Sequence, residues 1–255
     1  MRCVVFNQKG GVGKSTIACN LAAISAARGR DTVILDLDPQ GNASRYLLGE
    51  SVNESGPDGI GFFKQVLDFS FRELPLEAFL RPTPFENLRV LTANLELGDL
   101  EAKLESRYKM MKLREAVDKL PAETAVYIDT PPALSFFSRS ALIAGHSVLI
   151  PFDCDDFSRR ALYTLLENVE EVREDHNSEL EVGGVVVNQF QARARLPQQL
   201  VDELTAEGLP ILQPYISSSV KVRESHQAHK PLPFFARSHK LTGQFNELYE
   251  TITKG

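Results

Sequence analysis

At 255 residues the chain suits one large α/β domain, residues 1–255, better than two small ones. Its 43% hydrophobic and 24% charged residues are those of an ordinary globular protein. A net charge of −6 supplies no global attraction to nucleic acid or acidic lipid, so any such binding has to come from a local patch. The three cysteines, Cys3, Cys19 and Cys154, are scattered and lack metal-ligand spacing, which argues against a disulfide framework and for a reducing compartment. No window approaches the ~18 apolar residues of a membrane span, and MRCVVFNQKGG does not read as a signal peptide, so a cytoplasmic protein is expected.

Along the chain, short β-branched runs alternate with longer helical ones. Strands are expected at 2–7, 32–37, 88–92, 125–129, 147–151 and 183–188. These runs are continuously apolar, as in a parallel sheet covered on both faces. Helices are expected at 15–28, 41–48, 62–69, 95–105, 108–120, 135–144, 157–175, 196–207 and 241–253. The order predicts a doubly wound, mostly parallel α/β sheet with helices on both faces. Segment 49–61, GESVNESGPDGIG, reads as a loop, either mobile or an ordinary connection.

The stretch NQKGGVGKST lies between an expected strand and an expected helix. Gly10, Gly11 and Gly13 let backbone N–H groups around Val12 converge on an anion, and the following helix aims its positive end at the same point. Lys14 is placed to reach the β- and γ-phosphates of a nucleotide, Ser15 to ligate Mg²⁺ and Thr16 to bond a phosphate. The usual glycine at position 8 is Gln8, and a second lysine, Lys9, follows it.

Two acidic stations follow. In VILDLDPQGN, Asp36 and Asp38 point to one face of a strand end, where two carboxylates repel unless a cation or water lies between them. In VYIDTPPAL, Asp129 ends another apolar strand, the arrangement of a carboxylate that holds Mg²⁺. Asn188, ending a third strand, can read an adenine edge, and it equally suits a strand cap or an Asx turn. Between Gly183 and Lys240 the charge balance is +3, with Arg193, Arg195, Lys221 and Arg223 among the cations. That asymmetry hints at a polyanion partner and also suits a plain solvated face.

The string K-G-G-x-G-K-S-T with D-x-D-P-Q-G-N resembles the ParA/MinD family of P-loop ATPases, from Val4 to about Tyr249. The resemblance implies ATP and Mg²⁺ as cofactors and an ATP-dependent homodimer in which Lys9 reaches the other subunit's nucleotide. It implies that Asp38 orients the hydrolytic water, that Asp36 is a less direct partner of the Mg²⁺ held with Asp129, that Thr130-Pro131-Pro132 senses the γ-phosphate, and that Asn188 meets the base. Similarity to the Soj branch implies non-specific DNA binding through Arg193 and Lys221, with Arg195 and Arg223 beside them, and a nucleoid-associated positioning role. An activating partner, ParB-like or another cargo adaptor, is implied as well. With the loop starting at residue 9, the N-terminal operator-binding extension of longer members is not expected. The family's Ile-Pro-Arg is here Ile216-Ser217-Ser218, which alters the base pocket. The alternative, a MinD-like membrane ATPase, needs a basic amphipathic C-terminal helix. The tail KLTGQFNELYETITKG reads instead as a core-packing helix, so no membrane is expected.

Overall fold

The computed structural model describes residues 1–68, 73–154 and 158–254. The last residue of the helix expected at 62–69 and the first of that at 157–175 lie outside them.

Eight strands form one sheet in the order β3-β4-β2-β5-β1-β6-β7-β8. They are β1 (Arg2–Val5), β2 (Thr32–Asp36), β3 (Arg81–Pro82), β4 (Leu88–Leu91), β5 (Ala125–Asp129), β6 (Ser147–Asp153), β7 (Glu181–Asn188) and β8 (Ile211–Leu212). Every pairing is parallel except β3 with β4. The helices are α1 (Lys14–Ala27), α2 (Asn42–Leu48), α3 (Gly59–Leu67), α4 (Glu96–Ser106), α5 (Lys112–Val117), α6 (Phe136–Ala144), α7 (Ser158–Asp175), α8 (Arg195–Ala206), α9 (Val220–Gln227), α10 (Leu232–Phe235) and α11 (Lys240–Lys254).

Strand side chains alternate between two cores. Val4, Val33, Leu35 and Ile128 pack with α3 to α8, while Cys3, Val5, Ile34 and Tyr127 pack with α1, α2, α10 and α11. The doubly wound expectation therefore holds. So does that for the tail: Leu241, Phe245, Leu248 and Tyr249 of α11 are buried in the second core. No helix among the described residues is long and apolar enough to cross a membrane.

Four expectations need correction. The two-residue strands β3 and β8 were not foreseen, being too short for a period. The helix expected at 108–120 contracts to α5. The loop 49–61 is largely ordered: Gly49–Asn53 is a 3-10 turn, and α3 begins at Gly59 under an Asp58 cap that accepts from Gly61 N at 2.7 Å. The Arg81 guanidinium pins this segment by donating to the carbonyls of Ser51 and Glu54 at 2.6 and 3.2 Å. Helices α9 and α10 were missed. In VKVRESHQ the one aliphatic side chain packed on the core is Val222, and the other inward contacts run through Ser225 and His226, so no aliphatic stripe shows.

Candidate functional site

Three neighbouring strand ends carry the chemistry. Parallel register sets Asp129 beside Val5 on one side and Asp36 on the other, so the loop after β1 opens next to both acids. This is the carboxyl edge at a topological switch point, where open α/β sheets place ligands. Thr130, fully buried, donates to Val5 O at 2.8 Å and ties the turn after β5 to β1.

The loop is shaped by its backbone. Asn7 anchors it, donating to Pro151 O at 2.6 Å and accepting from Lys9 N at 2.8 Å. Gly13 has φ +93°, and a Cβ there would lie 2.3 Å from Asn188 Nδ2, so only glycine fits. No side chain caps α1, which leaves the N–H groups of its first turn available to an anion. Lys14 is 7% exposed and donates to Lys9 O at 2.9 Å. Burial lowers its pKa, against the opposing charges of Asp129 and Asp38. Lys9 takes another direction: its Nζ lies 2.8 and 3.0 Å from the two carboxylate oxygens of Asp153, at the end of β6.

The acids divide their work. Both oxygens of Asp129 are buried without a hydrogen-bond partner in bonding geometry. Burial pushes its pKa well above the usual range, the charge of Asp36 adds to this, and the Ser15 hydroxyl and Lys14 pull the other way. A carboxylate in that setting calls for a cation. Asp129 with the Ser15 hydroxyl fits Mg²⁺, which takes one or two protein oxygens and completes its shell with water and phosphates. No cluster of three His, Cys, Asp or Glu side chains able to hold a metal occurs among the described residues. Asp36 is engaged elsewhere: it accepts from Ser44 N at 2.8 Å, Ser44 Oγ at 2.6 Å and Asp38 N at 3.2 Å. Burial raises its pKa to about 6 despite the Ser44 bonds. Asp36 therefore holds the start of α2. Asp38, 6% exposed, is oriented by Gln40 N at 3.0 Å, and burial raises its pKa against that bond and Lys14. Gly41 completes the turn at φ +62°, where a Cβ would meet Ala93 O at 2.6 Å.

Beside the loop lies a cleft of about 510 Å³ lined by Gly13, Thr16, Asn188, Gln189, Ser218 and Arg223. Asn188 and Gln189 brace the loop, donating to Val12 O at 2.8 Å and Gly11 O at 3.0 Å. The amide N–H₂ of Asn188 thus serves the loop. At Ile216-Ser217-Ser218, Gln244 clamps the chain: it accepts from Ser217 N at 3.1 Å and donates to Tyr215 O at 2.9 Å and Ser217 Oγ at 3.0 Å.

The four cations expected to meet DNA are not equivalent. A bridge between Phe190 and Ser217 brings the segments that lead to α8 and α9 side by side. Arg193, Arg195 and Arg223 are exposed and make no ion pair among the described residues. Lys221 is held by Glu224 at 2.6 Å, which offsets its charge, and Arg223 also borders the cleft. Asp153, Gln189 and His226 were missed. For Asp153 a signal existed, an acid closing an apolar strand, as at Asp129. For His226 there was none.

The family model described as an AAA domain matches residues 2–182. The chromosome partitioning protein ParA of Myxococcus xanthus is 32% identical, over 89% of this chain and 79% of that protein. The sporulation initiation inhibitor protein Soj of Bacillus subtilis is 29% identical, over 89% of this chain and 88% of that one. Among solved structures, the Cyanothece McdA–ATP complex superposes with a TM-score of 0.84 at 20% identity, covering 99% of this chain and 96% of that one, a likeness of fold.

Proposed function

The chain belongs to the ParA/Soj family of partitioning ATPases, and from that premise we propose that it is an ATP-dependent dimerising switch that binds DNA without sequence preference and positions a plasmid, chromosome or other cargo. The observation that carries this reading is the division of the two lysines. Lys14 is buried inside the loop, while Lys9, its side chain 37% exposed, is held outside it at Asp153. One amine serves the nucleotide of its own subunit. The other is at hand for a nucleotide presented by a second copy.

Lys14 and the first-turn N–H groups of α1 hold the β- and γ-phosphates, and Thr16 bonds a phosphate from the cleft side. Ser15 and Asp129 would hold Mg²⁺, which would neutralise phosphate charge there. Asp38, aimed by Gln40 N, holds the attacking water in line, and Asp36 keeps that segment in place through Ser44. Lys9 leaves Asp153 for the partner's nucleotide, so ATP becomes part of the interface and its hydrolysis to ADP and phosphate reopens it. Pairing doubles the phosphate contacts made by Arg193, Arg195 and Arg223, and Lys221 joins them by leaving Glu224. A ParB-like or other adaptor accelerates the cycle, and the protein follows the nucleoid. The burial of the apolar stripe of α11 favours DNA over a membrane as the tether.

The test is fluorescence anisotropy on a random-sequence duplex with ATP, ADP or no nucleotide, over a salt series, with wild type, Lys9→Ala and Arg193→Glu/Arg195→Glu. Binding only with ATP, falling steeply with salt and lost in both variants, supports the switch. ATP-driven dimers that ignore DNA at low salt would refute the tether.

A further inference from the structure

Helix α9 meets its neighbours through polar groups. His226 Nε2 lies 3.0 Å from Thr16 Oγ1. The same ring stacks on Tyr46 of α2, with centroids 3.8 Å apart and planes at 11°. The Tyr46 hydroxyl meets Ser225 Oγ at 2.9 Å and accepts from Asn20 Nδ2 at 3.4 Å. Asn20 in turn donates to Thr16 O and accepts from Leu232 N, each at 2.8 Å. One turn on, His229 Nδ1 is 3.0 Å from Arg45 O. Asn20, Tyr46 and Ser225 are each at most 1% exposed. A connected, buried polar set thus joins the phosphate-loop helix, the helix that follows Asp36 and Asp38, and the helix that carries Lys221 and Arg223.

We propose that His226 is a positioning residue that registers a phosphate at Thr16 and passes this state to α9 and, through Tyr46, to α2. The inference rests on the nucleotide-binding reading of the loop. Burial, with His229 nearby, lowers the His226 pKa to about 4, so the ring is neutral at physiological pH. A neutral imidazole has one N–H and one acceptor, and a threonine hydroxyl has one proton. Without a phosphate, either partner can donate. A phosphate oxygen only accepts, so when it takes the Thr16 proton, His226 has to donate from Nε2. The ligand thereby selects one tautomer, and a donor chain running from imidazole through hydroxyl to phosphate is polarised in one direction and strengthened. Phosphate occupancy then tightens α9 against α1, which stiffens the platform under Lys221 and Arg223.

The test is hydrogen exchange with a non-hydrolysable ATP analogue and Mg²⁺ on wild type, His226→Phe and His226→Gln. Phenylalanine keeps the stack on Tyr46 and loses the Thr16 bond, whereas glutamine can restore a donor near Nε2. In wild type and His226→Gln the analogue should slow exchange across residues 220–229 about fivefold or more, the worth of one hydrogen bond. In His226→Phe that slowing should vanish while slowing at residues 10–17 persists. Slowing of 220–229 in His226→Phe equal to wild type overturns the proposal. No slowing at 10–17 in wild type overturns the nucleotide-binding reading instead. A second readout needs no perturbed fold: two-bond ¹H–¹⁵N spectra of wild type labelled at its five histidines. The His226 signal, identified by its absence in His226→Gln, should be the Nε2–H form alone in the complex, and an Nδ1–H ring there sinks the idea.

Discussion

The two ends of the nucleotide site are built by different means. At the phosphate end, the loop, the D-x-D turn and Asp129 are short contiguous strings on adjacent parallel strands, and their geometry comes from backbone conformation and strand register. At the other end, Asn188, Gln244 and His226 come from three separate elements and Ser217 from the segment leading to α9, held by side-chain bonds across up to 210 residues of chain. The first end is a charge trap with local causes. The second is a joint that exists only when the whole fold is in place. Substitutions at the first end should therefore change chemistry and leave the fold alone, while those at the second should change coupling and stability.

Lys14→Met is the sharpest test of the first half. Nucleotide affinity should fall about a hundredfold or more, given the worth of a buried charge-assisted contact, as read by a fluorescent ATP analogue. The nucleotide-free protein should melt no lower than wild type, because the variant removes a charge whose burial is unfavourable. A lower melting temperature would show that the lysine is structural. Asp38→Ala should bind ATP as wild type does and lose roughly a hundredfold in steady-state phosphate release. Equal hydrolysis would move the water to another group.

Arg193→Ala/Arg195→Ala addresses the exposed cations that follow β7. ATP turnover without DNA should be unchanged, and the log–log salt slope of duplex binding should become shallower by about 3.6 for four lost phosphate contacts, two in each subunit of the dimer. An unchanged slope would return these cations to a plain solvated face.

The smallest effect distinguishes the joint itself. The folded pKa of His226, about 4, lies below its ordinary 6.5 because burial disfavours the charged ring. Its neutral form stabilises the fold above pH 6.5, and that contribution is lost as the pH falls toward 4. In urea titrations between those pH values, wild type should lose stability faster than His226→Gln, by at most about 1.4 kcal/mol per pH unit for one proton. Parallel curves would mean that the ring charges freely within the fold.

Much of this molecule was legible before any coordinates. KGGVGKST, DLDPQGN and DTPP are read from sequence because glycine conformations, strand-end carboxylates and lysine reach act over a few residues. The sheet followed from its apolar runs, because parallel strands buried on both faces show no alternation. Only the tertiary structure decided that Lys9 rests on Asp153, that Asp36 supports α2 while both oxygens of Asp129 stay buried without a hydrogen-bond partner, and that Lys221 is tied to Glu224 while Arg193 and Arg195 make no ion pair among the described residues. It alone revealed α9, which sets Val222, Ser225 and His226 against the fold and so carries no apolar period. The physical reason is range: backbone propensity and charge are properties of neighbours in the chain, whereas a hydrogen bond between Thr16 and His226 depends on every element that folds between them.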